Sequence, residues 1–306
     1  MKNSKKIKNP QKEKPEIENS RSKNPKYPIQ LQHRIWSRFV IVVGAIVYIW
    51  YTSKDGQETT LAHQREVLQQ RGQAFECDKD YLDEIKNFAG CIPNKCGRYV
   101  SDKIVTLNDV ETLLKIAKRG FALGGSDGGA SILDLHSGAL SLGETFVNIY
   151  SLDKAKQIFN APDLVAYRVV KAKIRQAIAE IFQIDVEDLY LTHPTFFSKL
   201  TNLNPKTIHD EYWHVHVDKE VYESFHYTSL LYLSDFGKDF ENGRLVWLES
   251  PNNNVTLEPR KGRVAMFSSG KENTHFVEKV TAGVRYAITI SFTCDPEKSI
   301  IDPIVL

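Results

Sequence analysis

Gly283-Val-Arg-Tyr-Ala-Ile-Thr-Ile-Ser-Phe292 is dense in β-branched and aromatic residues and opens on glycine, so it reads as a strand over residues 284–292. The same character extends back to Asp188. Short runs near residues 190–200, 213–217, 227–233, 245–248, 263–267 and 274–277 are broken by turn signals, and Glu241-Asn242-Gly243 supplies a hairpin-like turn. Ahead of Asp188 the pattern is helical. Between residues 162 and 182, Leu164, Val165, Tyr167, Val169, Val170, Ile174, Ile178 and Ile181 recur with a period of about 3.6, which predicts a long helix packed on a sheet. A shorter helix is expected from an Asn108 cap, with Glu111 three positions later, to Gly120. Helices followed by closely spaced strands predict an α+β chain whose C-terminal part is mainly β, a two-sheet sandwich with helices supporting one face.

Chemistry concentrates in Trp213-His-Val-His-Val-Asp218. On an extended strand successive side chains alternate, so His216 and Asp218 would share a face and offer one imidazole and one carboxylate to a metal. His275, in a later strand, is placed to oppose them. Two histidines and one carboxylate leave coordination positions open, as iron(II) requires to take a chelating oxoacid and O₂. His214 shares the face of His216 and would suit zinc or copper better, and His209 with Glu211 forms a second pair of the same spacing. Arg285, on the final strand, has a planar fork able to take the distal carboxylate of 2-oxoglutarate in two hydrogen bonds. A structural salt bridge is the competing account of Arg285. Thr289 lies on the same strand face, and Tyr232 either reaches the co-substrate or fills the core.

Taken in order, His-Val-Asp218, Leu230-Leu-Tyr-Leu-Ser-Asp235, Phe240-Glu-Asn-Gly-Arg-Leu245, Thr274-His-Phe-Val277 and Gly283-Val-Arg-Tyr-Ala-Ile-Thr289 resemble the catalytic domain of the prolyl 4-hydroxylases, 2-oxoglutarate- and iron(II)-dependent dioxygenases, over residues 188–295. One departure is that the family's Gly-Gly reads Asn242-Gly243 here. The resemblance implies a cupin-like jelly roll, or double-stranded β-helix, over residues 188–306, with His216, Asp218 and His275 as metal ligands. It also implies Arg285, Tyr232 and Thr289 as co-substrate contacts, Fe(2+), 2-oxoglutarate and O₂ as the reacting set, and L-ascorbate as an accessory reductant. A protein side chain is the implied substrate, prolyl ahead of lysyl. The rival readings are a tethered binding or scaffold protein without turnover, and a zinc hydrolase using His214.

The rest of the chain concerns location. Its 306 residues are 42% apolar, ample for a core, and the formal charge of +2 conceals an N-terminal bias of eleven Lys or Arg against three Glu in residues 1–38. Residues 1–34 have almost no apolar content and are expected to be a disordered basic cytosolic tail; with no aromatic residue before Tyr27, nucleic acid is not an expected partner. Phe39-Val-Ile-Val-Val-Gly-Ala-Ile-Val-Tyr-Ile-Trp-Tyr51 carries no charge, and Trp36, Trp50 and Tyr51 stand where interfacial aromatics belong. Residues 35–52 therefore read as a single signal anchor with the C-terminal domain translocated into the secretory lumen, a type II arrangement. Residues 53–107 read as a polar stalk, helical or flexible over 55–75, plus a cysteine segment, and residues 108–187 as a helical support.

All four cysteines, Cys77, Cys91, Cys96 and Cys294, follow the apolar run. A short bridge between Cys91 and Cys96 is expected within Gly90-Cys-Ile-Pro-Asn-Lys-Cys-Gly97, one of three possible pairings. Asn254-Val-Thr256 is a glycosylation sequon. Gly124-Gly-Ser-Asp-Gly-Gly129 lacks the Lys and Ser/Thr of a phosphate loop and reads as a turn. Oligomeric state is not legible.

Overall fold

A computed structural model describes residues 29–52, 57–151, 158–250 and 253–303. Residues 1–28 of the expected tail lie outside the described residues, whereas residues 29–34 are the first turns of helix α1 (Ile29–Thr52) rather than disordered. At 24 residues, α1 is about 36 Å long, and its stretch His33–Tyr51 is long and apolar enough to cross a membrane. It forms a unit separate from the folded body that begins at Asp55.

The body opens with β1 (Gln57–Ala62) and β2 (Arg71–Phe75), where a helical or flexible stalk was expected. The polar composition there belongs to edge strands: both lie at the ends of their sheets, with Leu61 and Ala62 turned into the core. Helix α2 (Lys79–Ile85) follows, capped by the Asp78 carboxylate, which accepts from the Asp80 and Tyr81 amides. Next come β3 (Cys96–Ser101) and α3 (Leu107–Phe121). The α3 cap is Thr106, in a reciprocal box with Asp109, not Asn108.

Three short strands, β4 (Ala130–Leu133), β5 (Ala139–Leu142) and β6 (Thr145–Asn148), interrupt the region expected to be wholly helical. Helix α4 (Ala161–Phe182) then runs as the periodicity predicts, from an Asn160 cap with proline in the first turn. The C-terminal half holds β7 (Tyr190–Leu191), β8 (Phe196–Leu200), the single-turn helix α5 (Asp218–Val221), β9 (Tyr227–Tyr232), β10 (Phe240–Asn242), β11 (Leu245–Ser250) and β12 (Asn253–Leu257). It ends with β13 (Val264–Ser268), β14 (His275–Val277), β15 (Val280–Gly283) and β16 (Arg285–Thr293). The strand expected over 213–217 is absent: only His216 pairs, in an isolated antiparallel bridge to His275. Asn242 and Gly243 do turn at positive φ, 60° and 75°, but they carry the chain from a two-stranded sheet (β10-β15) into another sheet instead of closing a hairpin.

Two sheets matter. The larger runs β2-β3-β13-β9-β16-β8-β4-β5-β6, and the smaller runs β1-β12-β11-β14. Strand alternation assigns the large sheet two different neighbours. Tyr227 and Leu231 on β9, Val264 and Met266 on β13, and Ile288, Ile290 and Phe292 on β16 pack into one core with α3 and α4. Tyr232, Ala265, Phe267 and Ala287, of the opposite parity, pack against Leu245, Trp247, Val255 and Leu257 of the small sheet. The helices thus cover one face, and the other face meets the second sheet. A gap between the two sheets is where the chemistry-bearing residues converge.

Disulfides pin the early strands to this body. Cys77 joins Cys96 and Cys91 joins Cys294, so the expected Cys91 to Cys96 bridge is not formed. The pairing follows from the strands: Phe75 on β2 pairs with Cys96 on β3, which brings Cys77 within 4.9 Å (Cα to Cα), while Cys91 meets the residue just after β16.

Candidate metal centre

Asp218 is the first residue of α5 and His275 the first of β14, and two backbone hydrogen bonds tie His216 to His275 at 2.9 and 3.0 Å. That bridge brings the two rings to 4.5 Å between centroids. The Asp218 carboxylate closes the group: Oδ1 lies 3.5 Å from His216 Nε2 and 3.8 Å from His275 Nε2, and one donor atom from each residue falls within 4.8 Å of the others.

Neighbouring groups orient the donors. His216 Nδ1 donates to the His214 carbonyl at 2.9 Å and His275 Nδ1 to the Asn273 carbonyl at 2.8 Å, which leaves each Nε2 as the free lone pair facing Asp218. Burial alone would push the His216 pKa down, yet when the ring is protonated it donates to the Asp218 carboxylate as well as to the His214 carbonyl, and together these raise it; a metal takes the place of that Nε2 proton. Burial dominates at His275 and lowers its pKa. For Asp218 burial pulls upward, but the neighbouring His275 and His216 imidazoles and the Thr228 hydrogen bond outweigh it and hold the carboxyl below its ordinary value. An ionised carboxylate and two nitrogen lone pairs are the donor set a divalent iron site needs.

The group opens into a cavity of about 400 Å³ that also reaches Arg285, Thr289, Thr228, Leu230, Phe267 and Tyr212. Strand parity accounts for the far end. Arg285 and Thr289 share the β16 face with Ala287, the face turned to the small sheet. Arg285 is 1% exposed, its Nε donates to the Gly243 carbonyl at 3.0 Å, and burial lowers its pKa. No carboxylate stands within ion-pair distance of its guanidinium among the described residues; the phenol of Tyr232 is the polar side chain nearest its charge. A buried guanidinium without a counter-ion is costly, so the arrangement fits an anionic ligand that enters the cavity; it does not fit the salt bridge considered as the alternative.

Tyr232 sits differently from Thr289. It is fully buried in the inter-sheet core, with Arg285 5.2 Å from its ring centre, and it does not line the cavity. His214 is exposed and paired with Glu211 at 2.6 Å, and His209 stacks edgewise on Phe146. Neither joins the three-residue group, although both border the cavity mouth. Residues missed in the sequence are Thr228, which donates to Asp218 Oδ2 at 2.6 Å, and Ser269, which contacts the Thr228 hydroxyl at 2.9 Å. Their parity on strands facing the cavity was a usable signal for Thr228. Asn254 lies within β12, half-buried, between β1 and β11. In the glycine-rich turn at 124–129, Ser126 donates to the Asp210 carboxylate, which also accepts from the Thr207 amide.

Comparison with known proteins gives a consistent result. The family described as the 2OG-Fe(II) oxygenase superfamily matches residues 204–293. The chain is 50% identical over 275 residues to 2-oxoglutarate and iron-dependent oxygenase domain-containing protein 3 of Xenopus tropicalis, covering 88% of this chain and 86% of that protein. It is 46% identical over 296 residues to the Homo sapiens protein of that name, covering 93% and 92%. A shorter likeness, 44% over 72 residues, links 23% of this chain to 10% of prolyl 3-hydroxylase 2 of Homo sapiens.

Proposed function

Because the chain belongs to the 2-oxoglutarate- and iron(II)-dependent oxygenases, we propose that it is a membrane-anchored member that hydroxylates a protein side chain in the secretory lumen, prolyl ahead of lysyl. The observation that carries this reading is the buried Arg285 guanidinium, which has no carboxylate partner among the described residues and lines the same cavity as His216, Asp218 and His275. These three residues would hold Fe(2+). Arg285 would take the far carboxylate of 2-oxoglutarate, with Thr289 adding a hydroxyl and Tyr232 backing the guanidinium from the core. Bound iron(II) with 2-oxoglutarate and O₂ supplies oxidative decarboxylation to succinate and CO₂ coupled to insertion of one oxygen atom into a C–H bond. The protein's part is to chelate, to neutralise the co-substrate's charge and to keep the site dry. L-ascorbate is proposed as the accessory reductant by family likeness.

The cavity wall supports prolyl over lysyl. Phe196, Ile208, Tyr222 and Phe225 line it, and its two acids, Glu211 and Asp218, are both engaged by histidines, so a substrate ammonium has no free counter-ion there. The sandwich of two facing sheets supports the jelly-roll reading. Residues 188–306 would then be the oxygenase core and 35–52 the anchor, with 53–187 supplying support that includes edge strands. Two disulfides and the excess of positive charge before the apolar helix support a cytosolic N-terminus and a lumenal body. A glycan at Asn254 has to be added before β12 pairs, since Thr256 is fully buried in the closed sheet.

Succinate release from 2-oxoglutarate by the purified protein, with iron(II) and proline-containing peptides, tests the activity. Release that Asp218→Ala abolishes is expected; equal release by wild type and Asp218→Ala contradicts it. For location, the protein should stay in the pellet on alkaline carbonate extraction and lose mass on glycosidase treatment. Recovery in the supernatant without a mass shift contradicts the lumenal anchor.

A further inference from the structure

We propose that Glu84 on α2 is a positioning residue for the metal centre, acting on Asp218 through Lys219 and His226. The inference rests on the reading of His216, Asp218 and His275 as metal ligands.

Asp218 begins a helix of only four residues whose N-cap, Val217, has no side chain able to cap it. A single turn does not hold itself together, because fixing its dihedrals costs more than its few hydrogen bonds return. It must be held from outside. The Lys219 amide donates to the Ser269 carbonyl at 3.1 Å, and the Lys219 ammonium donates to Glu84 Oε1 at 2.5 Å and to the Glu223 carbonyl.

The same Glu84 oxygen accepts from His226 Nε2 at 3.1 Å. His226 is fully buried, and its Nδ1 accepts from the Cys294 amide at 2.9 Å, which leaves the ring hydrogen on Nε2 to face Glu84. The His226 carbonyl in turn accepts from the Tyr81 hydroxyl at 2.9 Å and the Ser269 amide at 3.0 Å. Ser269 Oγ touches the Thr228 hydroxyl that donates to Asp218. Both the backbone and the carboxylate of Asp218 are therefore tied to α2, through Glu84 and Tyr81.

Helix α2 is anchored well enough to serve. It lies between Cys77 and Cys91, which bridge to Cys96 and Cys294 respectively. The His226 hydrogen bond, ahead of the Lys219 ammonium, outweighs burial and brings the Glu84 carboxyl down to about 2, so the clamp is ionised. Glu84 does not line the cavity and lies outside residues 204–293, which the oxygenase family matches. The brace is thus built by the cysteine-bearing segment and not by the oxygenase core.

Anaerobic titration of the full chain with cobalt(II), followed by its visible spectrum, tests this. Glu84→Ala should weaken cobalt(II) binding by about 10- to 100-fold, the range seen when partners behind metal ligands are removed. Glu84→Gln, which keeps an acceptor, should recover part of the loss. Affinity of the cobalt-loaded protein for 2-oxoglutarate should be unchanged, because the Arg285 end is untouched. Wild-type cobalt affinity in a folded Glu84→Ala overturns the proposal. If Glu84→Ala lacks a cooperative melt, Lys219→Met, which keeps the stem and removes only the link, should show the same loss, and wild-type affinity there overturns it equally. Loss in Asp218→Ala without loss in the Glu84 and Lys219 variants defeats the brace alone. Undiminished binding by Asp218→Ala defeats the ligand assignment, and the brace with it.

Discussion

Thr228 donates its hydroxyl hydrogen to Asp218 Oδ2 at 2.6 Å, which leaves Oδ1 as the oxygen facing both imidazoles, 3.5 Å from His216 Nε2 and 3.8 Å from His275 Nε2. One carboxylate oxygen is spent on the protein and the other is kept for a metal. This division of labour fixes the side chain's rotation before any ion arrives.

Thr228→Val keeps the shape and removes the donor. A hydrogen bond to a buried charged group contributes about 1.5–3 kcal/mol, so the metal-free protein should lose stability of that order in a urea melt. Cobalt(II) affinity should fall by about 10-fold or more as Asp218 becomes free to rotate. Unchanged affinity would show that the carboxylate is held by other contacts.

Arg285 and Gly243 form the other end of the cavity. Arg285→Lys retains charge but not the planar fork, so the KM for 2-oxoglutarate should rise by about 10- to 100-fold while metal affinity stays put. Gly243→Ala should act in the same direction: at φ 75° a Cβ would lie 2.9 Å from Val280 Cγ2 and 3.3 Å from Arg285 Cδ, disturbing the carbonyl that holds the guanidinium. Steady-state kinetics in 2-oxoglutarate checks both, and a fall in kcat at constant KM would contradict the binding role.

The fold was legible wherever one chemical pattern served one structural purpose. Helix α4 was readable because Leu164, Tyr167, Val170, Ile174 and Ile178 form one buried stripe against α3 and the large sheet, although Val165 and Val169 of the same run are exposed; β9, β11, β13 and β16 were readable because β-branched and aromatic residues crowd both faces of buried strands. The ligand spacing at His216 and Asp218 was legible for a reason that proved incomplete: the two converge through a bridge and a helical turn, not along a continuous strand. What stayed hidden depended on distant partners. β1 looks like a stalk until β12 pairs beside it, and nothing local shows that Cys91 meets Cys294 across 203 residues.

That long disulfide should matter to stability. Closing so large a loop removes entropy from the unfolded chain, and Cys294→Ser with Cys91→Ser should cost about 2–5 kcal/mol. Thermal melts of the double variant should show the loss, together with weaker cobalt(II) binding, because the Cys294 amide anchors His226. A melt matching wild type would contradict the bracing role.

Acid should destabilise the metal-free fold beginning below the ordinary histidine range. Burial lowers the folded pKa of His226, whose charged neighbours are Glu84, Lys219 and Lys298. The unfolded state then binds the proton first, so stability is full above about pH 6.5 and declines as the pH falls towards the folded value. Glu84, with its pKa lowered to about 2 chiefly by the His226 hydrogen bond, adds a second decline below the ordinary carboxylate value. His226→Gln should flatten the first slope, leaving what His136 and His275, also lowered by burial, contribute, against the opposite slope of the raised His216. An identical slope in urea melts from pH 7 to 5 would show that His226 is not the titrating group.

The most direct measurement is an anaerobic crystal structure with iron(II) and an inert 2-oxoglutarate analogue. The expected density is one ion held by His216 Nε2, His275 Nε2 and Asp218 Oδ1, with the analogue's far carboxylate on the guanidinium of Arg285. An ion seated instead on His214 and Glu211, or an analogue that leaves Arg285 untouched, would contradict the account.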